Sequence, residues 1–102
     1  MILEVARLPV IPGRESEFEA AFHQAQNIIA QMPGYLSHQL QRCVETPHMY
    51  LLLVQWRCLD DHTMGFRGSP QYQEWKALLH RFYNPFPLVE HFALVAGASN
   101  EH

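Results

Sequence analysis

The stretch HTMGFRGSPQYQEW, His62 to Trp75, holds one histidine, one arginine and three aromatic rings within fourteen residues. A histidine with an ordinary pKa near ~6.5 is the natural proton acceptor at neutral pH, and His62 falls in the first turn of a short helical segment. Tyr72 and Trp75 stand three apart on the next helix and face inward, and a buried tyrosine hydroxyl needs a partner. Phe66 and Arg67 lie between His62 and Tyr72, the arginine able to hold an anion or to bond the carbonyls of a helix end. His80 follows Tyr72 by eight residues on roughly the same helical face. Trp56 ends the strand before this segment, where it either walls a pocket or plugs the end of the core. Each of these residues also has a plain structural reading. Gly68 and Ser69-Pro70 are fully explained as the stop of one helix and the start of another.

Five other histidines are less informative. His38 and His91 fall on strands, where a one-residue change of register flips a side chain to the opposite face. His23, His48 and the C-terminal His102 read as surface residues. Neither CxxC nor HxxxH occurs, so a metal site is not expected. GxGxxG, GxxxxGK[ST] and GxSxG are absent as well, which leaves out the usual dinucleotide, phosphate-loop and serine-nucleophile sites.

At 102 residues with 48% hydrophobic and 17% charged side chains, the chain is an ordinary globular domain. The expected domain covers residues 1–96, and 97–102 form a small, polar, frayed tail. The net charge is −3 with basic residues scattered, unlike a nucleic-acid surface. No stretch approaches the ~18 apolar residues of a membrane span, and the N-terminus lacks the pattern of a secretory signal. The expectation is a cytoplasmic protein. Cys43 and Cys58 fit reduced thiols. With a tight turn at Thr46-Pro47, facing residues of the flanking strands sum to about 93. Cys43 then faces Tyr50, and Cys58 faces Tyr35.

The hydrophobic pattern divides the chain into six parts. Ile2–Ile11 is a strand that ends at Pro12-Gly13. From Arg14 the period changes to that of a helix, with Phe18, Ala21, Phe22, Ala25, Ile28, Ile29 and Met32 on one face, until Pro33-Gly34. Tyr35–Val44 and Met49–Trp56 are strands. Leu59–Arg67 is a short helix opened by Asp60 and Asp61, and a helix capped by Ser69 follows. Phe86–Val95 is the last strand. Strand, helix, strand, strand, helical pair, strand is the split βαβ order: an α+β, ferredoxin-like βαββαβ chain with a four-stranded antiparallel sheet.

The third strand is apolar on both faces, with Tyr50, Leu52, Val54 and Trp56 on one and Met49, Leu51 and Leu53 on the other. Helices cover only one. At about 25 cal/mol per Å² of apolar area, leaving the other wet forfeits several kcal/mol, comparable with a small domain's whole stability. The simplest cover is a second copy under two-fold symmetry, so a homodimer is expected.

The segments VIPGRESEFEAAF, MPGYLSHQLQRCVE, YLLLVQW and HTMGFRGSPQYQEW resemble the antibiotic biosynthesis monooxygenase (ABM) family of the dimeric α+β barrel superfamily, over about Ile2 to Val95. The resemblance implies two ferredoxin-like protomers closing a barrel, with substrate in a cleft between sheet and helices. It also implies oxidation of a small aromatic, quinol or polyketide-like compound by molecular oxygen, without flavin, haem or metal. In that frame His62 and Tyr72 are the expected catalytic residues, and Trp56, Phe66, Arg67, Trp75 and His80 the expected substrate contacts. The haem-degrading branch uses an asparagine, a tryptophan and a histidine at positions that correspond to Ala6, Phe66 and Lys76, so haem degradation is disfavoured. The competing reading is a non-catalytic small-molecule binding or interaction protein on the same dimeric fold. A filled core between sheet and helices would favour it, and an open cleft with convergent polar groups would favour the enzyme.

Overall fold

The computed structural model describes residues 1–99; the end of the expected tail, with His102, lies outside the described residues. Strand β1 (Ile2–Pro9) leads to helix α1 (Glu15–Ile29), then strands β2 (Tyr35–Arg42) and β3 (Met49–Trp56). A π-helical turn (Asp61–Phe66), helix α2 (Pro70–Leu79) and a 3-10 turn (His80–Phe82) follow, and strand β4 (Leu88–Phe92) completes the chain. The strands form one antiparallel sheet in the order β2-β3-β1-β4. This is the expected ferredoxin-like α+β architecture.

Each element follows from its residues. Phe18, Ala21, Phe22, Ala25 and Ile29 of α1 are buried in a single stripe. Glu15 and Glu17 occupy its first turn, where the helix dipole favours a negative charge. Glu15 also accepts the Gly13 N–H at 2.8 Å. In α2 the Ser69 hydroxyl oxygen accepts the Tyr72 N–H at 3.2 Å, with Pro70 at the first helical position. Trp75 and Leu79 then point into the core.

Alternation along the strands separates two faces. Ala6 and Leu8 of β1, with Tyr50, Leu52, Val54 and Trp56 of β3, are buried against the helices. Leu3, Val5, Met49, Leu51 and Leu53 occupy the alternate positions and are only half covered. Phe92 of β4 joins them and is exposed.

Three local expectations need correction. Between β2 and β3 the facing residues sum to 92, as in Arg42 with Tyr50, and a bulge at Tyr35/Ser37 shifts Tyr35 opposite Trp56. Cys43 therefore pairs with Met49 through its N–H at 2.8 Å, and Cys58 lies beyond the strand; both thiols are free. The connection is longer than a two-residue hairpin, and within it the Met49 N–H closes a β-turn on the Thr46 carbonyl at 2.9 Å. The segment expected as a helix from Leu59 to Arg67 is a π-helical turn whose N-terminus has no side-chain cap. Asp61, expected as a cap, instead pairs with Arg57 at 3.1 and 3.2 Å. Finally, β4 is five residues long: its partners run only from Leu3 to Arg7 on β1, and Pro87 has no N–H to extend the ladder.

Gly34 ties two of these parts together. Its φ of +84° reverses the chain after α1, and a Cβ there would meet Asp61 Oδ2 at 2.0 Å. The Arg57 N–H donates to the Gly34 carbonyl at 2.8 Å. The reversal after α1 and the start of the π-helical turn thus share one corner.

Candidate active site

Glu4 stands in the middle of the sheet on the face that the helices cover. Its register partners are Val54 of β3 and His91 of β4. Only 5% of the residue is exposed. A buried carboxyl requires donors, and Trp56 supplies one: the indole N–H donates to Glu4 Oε1 at 3.0 Å. His62, carried by the π-helical turn, brings its Nε2 to 3.3 Å from the same oxygen. Its other nitrogen, Nδ1, lies 2.8 Å from His91 Nε2, one of the two donating and the other accepting. Glu4, His62 and His91 therefore form a continuous polar chain, backed by the indole of Trp56.

Burial decides the charges in this chain. It pushes the His62 imidazole down to about 3, with the nearby positive charge of Arg67 and then His91 adding to the effect. His91 is also lowered, by burial and then by Arg67. Glu4 moves the other way: burial raises it, while the Trp56 hydrogen bond and the Arg67 charge hold it partly down. The two imidazoles are neutral at neutral pH, and the carboxyl gives up its proton less readily than an exposed one. The expectation of an ordinary, near-neutral histidine at position 62 is corrected here. The segment buries His62 to 3% exposure, and both of its nitrogens face protein groups.

A cavity of about 410 Å³ opens over this chain. Glu4 and His62 are part of its wall, with Ala6, Leu8, Leu52 and Val89 from the sheet. Opposite them stand Phe66, Tyr72 and Trp75, and further round His80, Tyr83, Phe86 and Pro87. The rings meet edge to face: Phe66 with Tyr72 at 5.2 Å, Phe66 with Trp75 at 5.7 Å, and His80 with Phe86 at 5.3 Å. Burial, followed by the charge of Lys76, lowers the His80 imidazole. Arg67 and Phe86 are exposed at the rim, and Arg67 makes no ion pair among the described residues. The site thus combines aromatic walls, one free cation at the mouth and a buried acid with neutral imidazoles at the floor. Among the described residues, no group of three His, Cys, Asp or Glu side chains is arranged to hold a metal ion.

The first 78 residues match the family model described as "Antibiotic biosynthesis monooxygenase". The chain belongs to that family. A Bacillus subtilis (strain 168) relative, "Uncharacterized protein YczJ", is 62% identical over 92 residues, covering 90% of this chain and 97% of its own. A solved Bordetella bronchiseptica structure named for the same family shares 37% identity, with a TM-score of 0.89 over 93% of this chain and 97% of that one. SnoaB of Streptomyces nogalater, described as a cofactor-independent oxygenase, superposes with a TM-score of 0.83 over 97% of both chains. At 20% identity it shares the fold.

Within this ABM-family fold, six of the seven residues singled out from sequence meet at one cavity: His62, Phe66, Arg67, Tyr72, Trp75 and His80. Trp56 does not reach it. The indole is fully buried behind His62 and acts on the site through Glu4. The strand histidines separate. His91 joins the site, whereas His38 faces α1, bonded to the Tyr35 hydroxyl and 2.9 Å from Gln26 Oε1. Glu4 and Tyr83 escaped notice as site residues, and for His91 the sequence leaves both faces open. The signal for Glu4 was its phase: it alternates with Ala6, Leu8 and Val10, so an acid falls on the strand's apolar face.

Proposed function

We propose that this ABM-family protein is a cofactor-independent monooxygenase that oxidises a small aromatic, quinol or polyketide-like substrate with molecular oxygen. One oxygen atom enters the substrate; the other leaves as water with the two hydrogens that the substrate gives up. The observation that carries the reading is the aromatic cavity of about 410 Å³ with Glu4 and His62 on its wall and His91 bonded behind His62. An electron-rich phenol or quinol becomes a far better reductant toward oxygen once it loses its proton. The chemistry therefore needs a proton acceptor, a donor for the oxyanion and walls that exclude water. His62 holds the acidic floor in place as a neutral imidazole, and the Tyr72 hydroxyl is the oxyanion donor. Phe66, Trp75 and His80 clamp the ring, and Arg67 attracts anionic substituents to the mouth. SnoaB's description supports the chemistry only by shared scaffold.

The protein works as a homodimer in the cytoplasm, with the half-covered face of Leu51 and Leu53 closed by a second copy. Oxygen consumption by metal-free protein, measured across a panel of quinols and anthrones, tests the reading. Saturable uptake that depends on the protein is expected. Tight binding of the panel without any oxygen uptake would replace the enzyme with a small-molecule binding protein.

A further inference from the structure

We propose that the Glu4 carboxylate, through Oε2, is the base that takes the substrate's proton. The inference rests on the oxidation reading above and names the group that starts it. Three observations carry it. Glu4 lies on the cavity wall, so a guest reaches its carboxyl directly. Its Oε1 is occupied, accepting from the Trp56 indole and lying beside His62 Nε2. Its Oε2 receives no hydrogen bond among the described residues. A purely structural acceptor for an indole N–H needs only one neutral oxygen, and a buried carboxyl is an expensive way to provide it.

The other candidates at the cavity are less suited. Both nitrogens of His62 are turned to Glu4 and His91. His91 lies behind His62 and is not on the cavity wall. The groups that face the carboxyl are all known: Trp56 from β3, His91 from β4, and His62 and Arg67 from the π-helical turn and its end. Tyr72, His80 and Tyr83 stand across the cavity. Burial raises Glu4 toward the range in which a general base works best at neutral pH.

In the step itself, the substrate O–H breaks and a new O–H forms at Glu4 Oε2. Both electrons of the broken bond remain on the substrate oxygen, so nothing is oxidised or reduced yet. The anion moves from the protein to the substrate, which then passes an electron to oxygen. His62 keeps its neutral ring throughout.

The test combines a redox-inert probe with turnover. 4-Nitrophenolate binds at a pH above its own ionisation, and the proton exchange is read from calorimetry in buffers of different ionisation enthalpy. In the unaltered protein each probe bound draws in a proton, because two anions cannot share the cavity floor. Glu4→Gln keeps the acceptor for Trp56, and a thermal melt verifies its fold; it should bind the probe with no proton uptake. With an oxidisable quinol, Glu4→Gln should lower kcat about 100-fold or more with KM changed less than threefold. The acid limb of the pH profile should disappear as well. Proton uptake absent from the unaltered protein, equal in both proteins, or a variant kcat within threefold overturns the assignment. If the unaltered protein oxidises no quinol while its uptake of the proton depends on Glu4, the oxidation reading fails and Glu4 remains the base of the site.

Discussion

The indole of Trp56 stacks on the imidazole of His62, with ring centroids 5.3 Å apart and planes 20° from parallel. Both rings also converge on one atom, Glu4 Oε1. A strand-end tryptophan and a helical-turn histidine, six residues apart in sequence, thus form one support for a buried carboxyl. Removing either changes the packing around the acid, and removing the indole also takes away a hydrogen bond that holds the carboxyl down.

Trp56→Phe tests the support from the indole side. It keeps an aromatic ring but removes the N–H, so Glu4 Oε1 loses its strongest donor. The expected cost is about 1–3 kcal/mol in denaturant unfolding at neutral pH, the usual penalty for stranding a buried polar group. Because that hydrogen bond holds Glu4 down, the acid limb of any pH–activity profile should move to higher pH in this variant.

His62 makes a separate prediction about acid. Its imidazole ionises near 3 in the folded protein, against ~6.5 in an unfolded chain. Below ~6.5 the unfolded chain takes up a proton that the folded one refuses, so stability is intact above that pH and falls below it. The loss approaches about 1.4 kcal/mol per pH unit and ends near 3. Glu4 acts in the opposite sense: its raised folded value favours the fold as pH drops toward the ordinary carboxylate range. His62→Phe should flatten the acid slope between pH ~6 and ~4, as read from guanidinium midpoints. An unchanged slope would place the acid sensitivity elsewhere.

Tyr72 is half-buried on the cavity wall, and its hydroxyl makes no hydrogen bond among the described residues. Tyr72→Phe should leave the unfolding midpoint within the equivalent of about 0.5 kcal/mol, as for a surface change. The loss of an oxyanion donor should show instead in turnover, with kcat down by about tenfold or more. Equal kcat for the two proteins would remove Tyr72 from the chemistry.

Much of this arrangement is legible in the residues. The periods of 2 and 3.6, with Pro-Gly and Ser-Pro as punctuation, predict all four strands and both helices. The type and spacing of His62, Phe66, Tyr72, Trp75 and His80 anticipate a shared cavity. The polar floor is hidden for a physical reason. Glu4 and His62 are 58 positions apart, and Glu4 and His91 87 apart, so only the β1–β4 pairing and the packing of the π-helical turn on the sheet bring them together. The phase of Glu4 in ILEVARLPVI marks its face, but the face becomes informative only once the helix side is known. His38 and His91 show the same limit. A bulge beside Tyr35 and the length of one hairpin decide where such side chains point. The burial of His62 comes from its π-helical turn, whose geometry no capping signal announces.

The uncovered side of the sheet gives a prediction about assembly. Leu51 and Leu53 project away from the helices, beside Val5 of β1. Leu51→Lys should convert a dimer to single copies in sedimentation at micromolar concentration, while far-ultraviolet circular dichroism stays close to that of the unaltered protein. Unaltered protein that sediments as a well-folded single copy would end the dimer proposal.

Gly34 has a wider effect than its size suggests. Because it has no side chain, Asp61 rests over the chain reversal and the Arg57 amide bonds to the Gly34 carbonyl. The segment that delivers His62 is therefore clamped to the end of the first helix, a part of the molecule outside the cavity wall. Local opening should release both at once. In native-state hydrogen exchange, the amide of Arg57, bonded to Gly34, and that of Arg67, bonded to the His62 carbonyl, should lose protection together. Gly34→Ala should speed both, loosening the cavity floor from a distance.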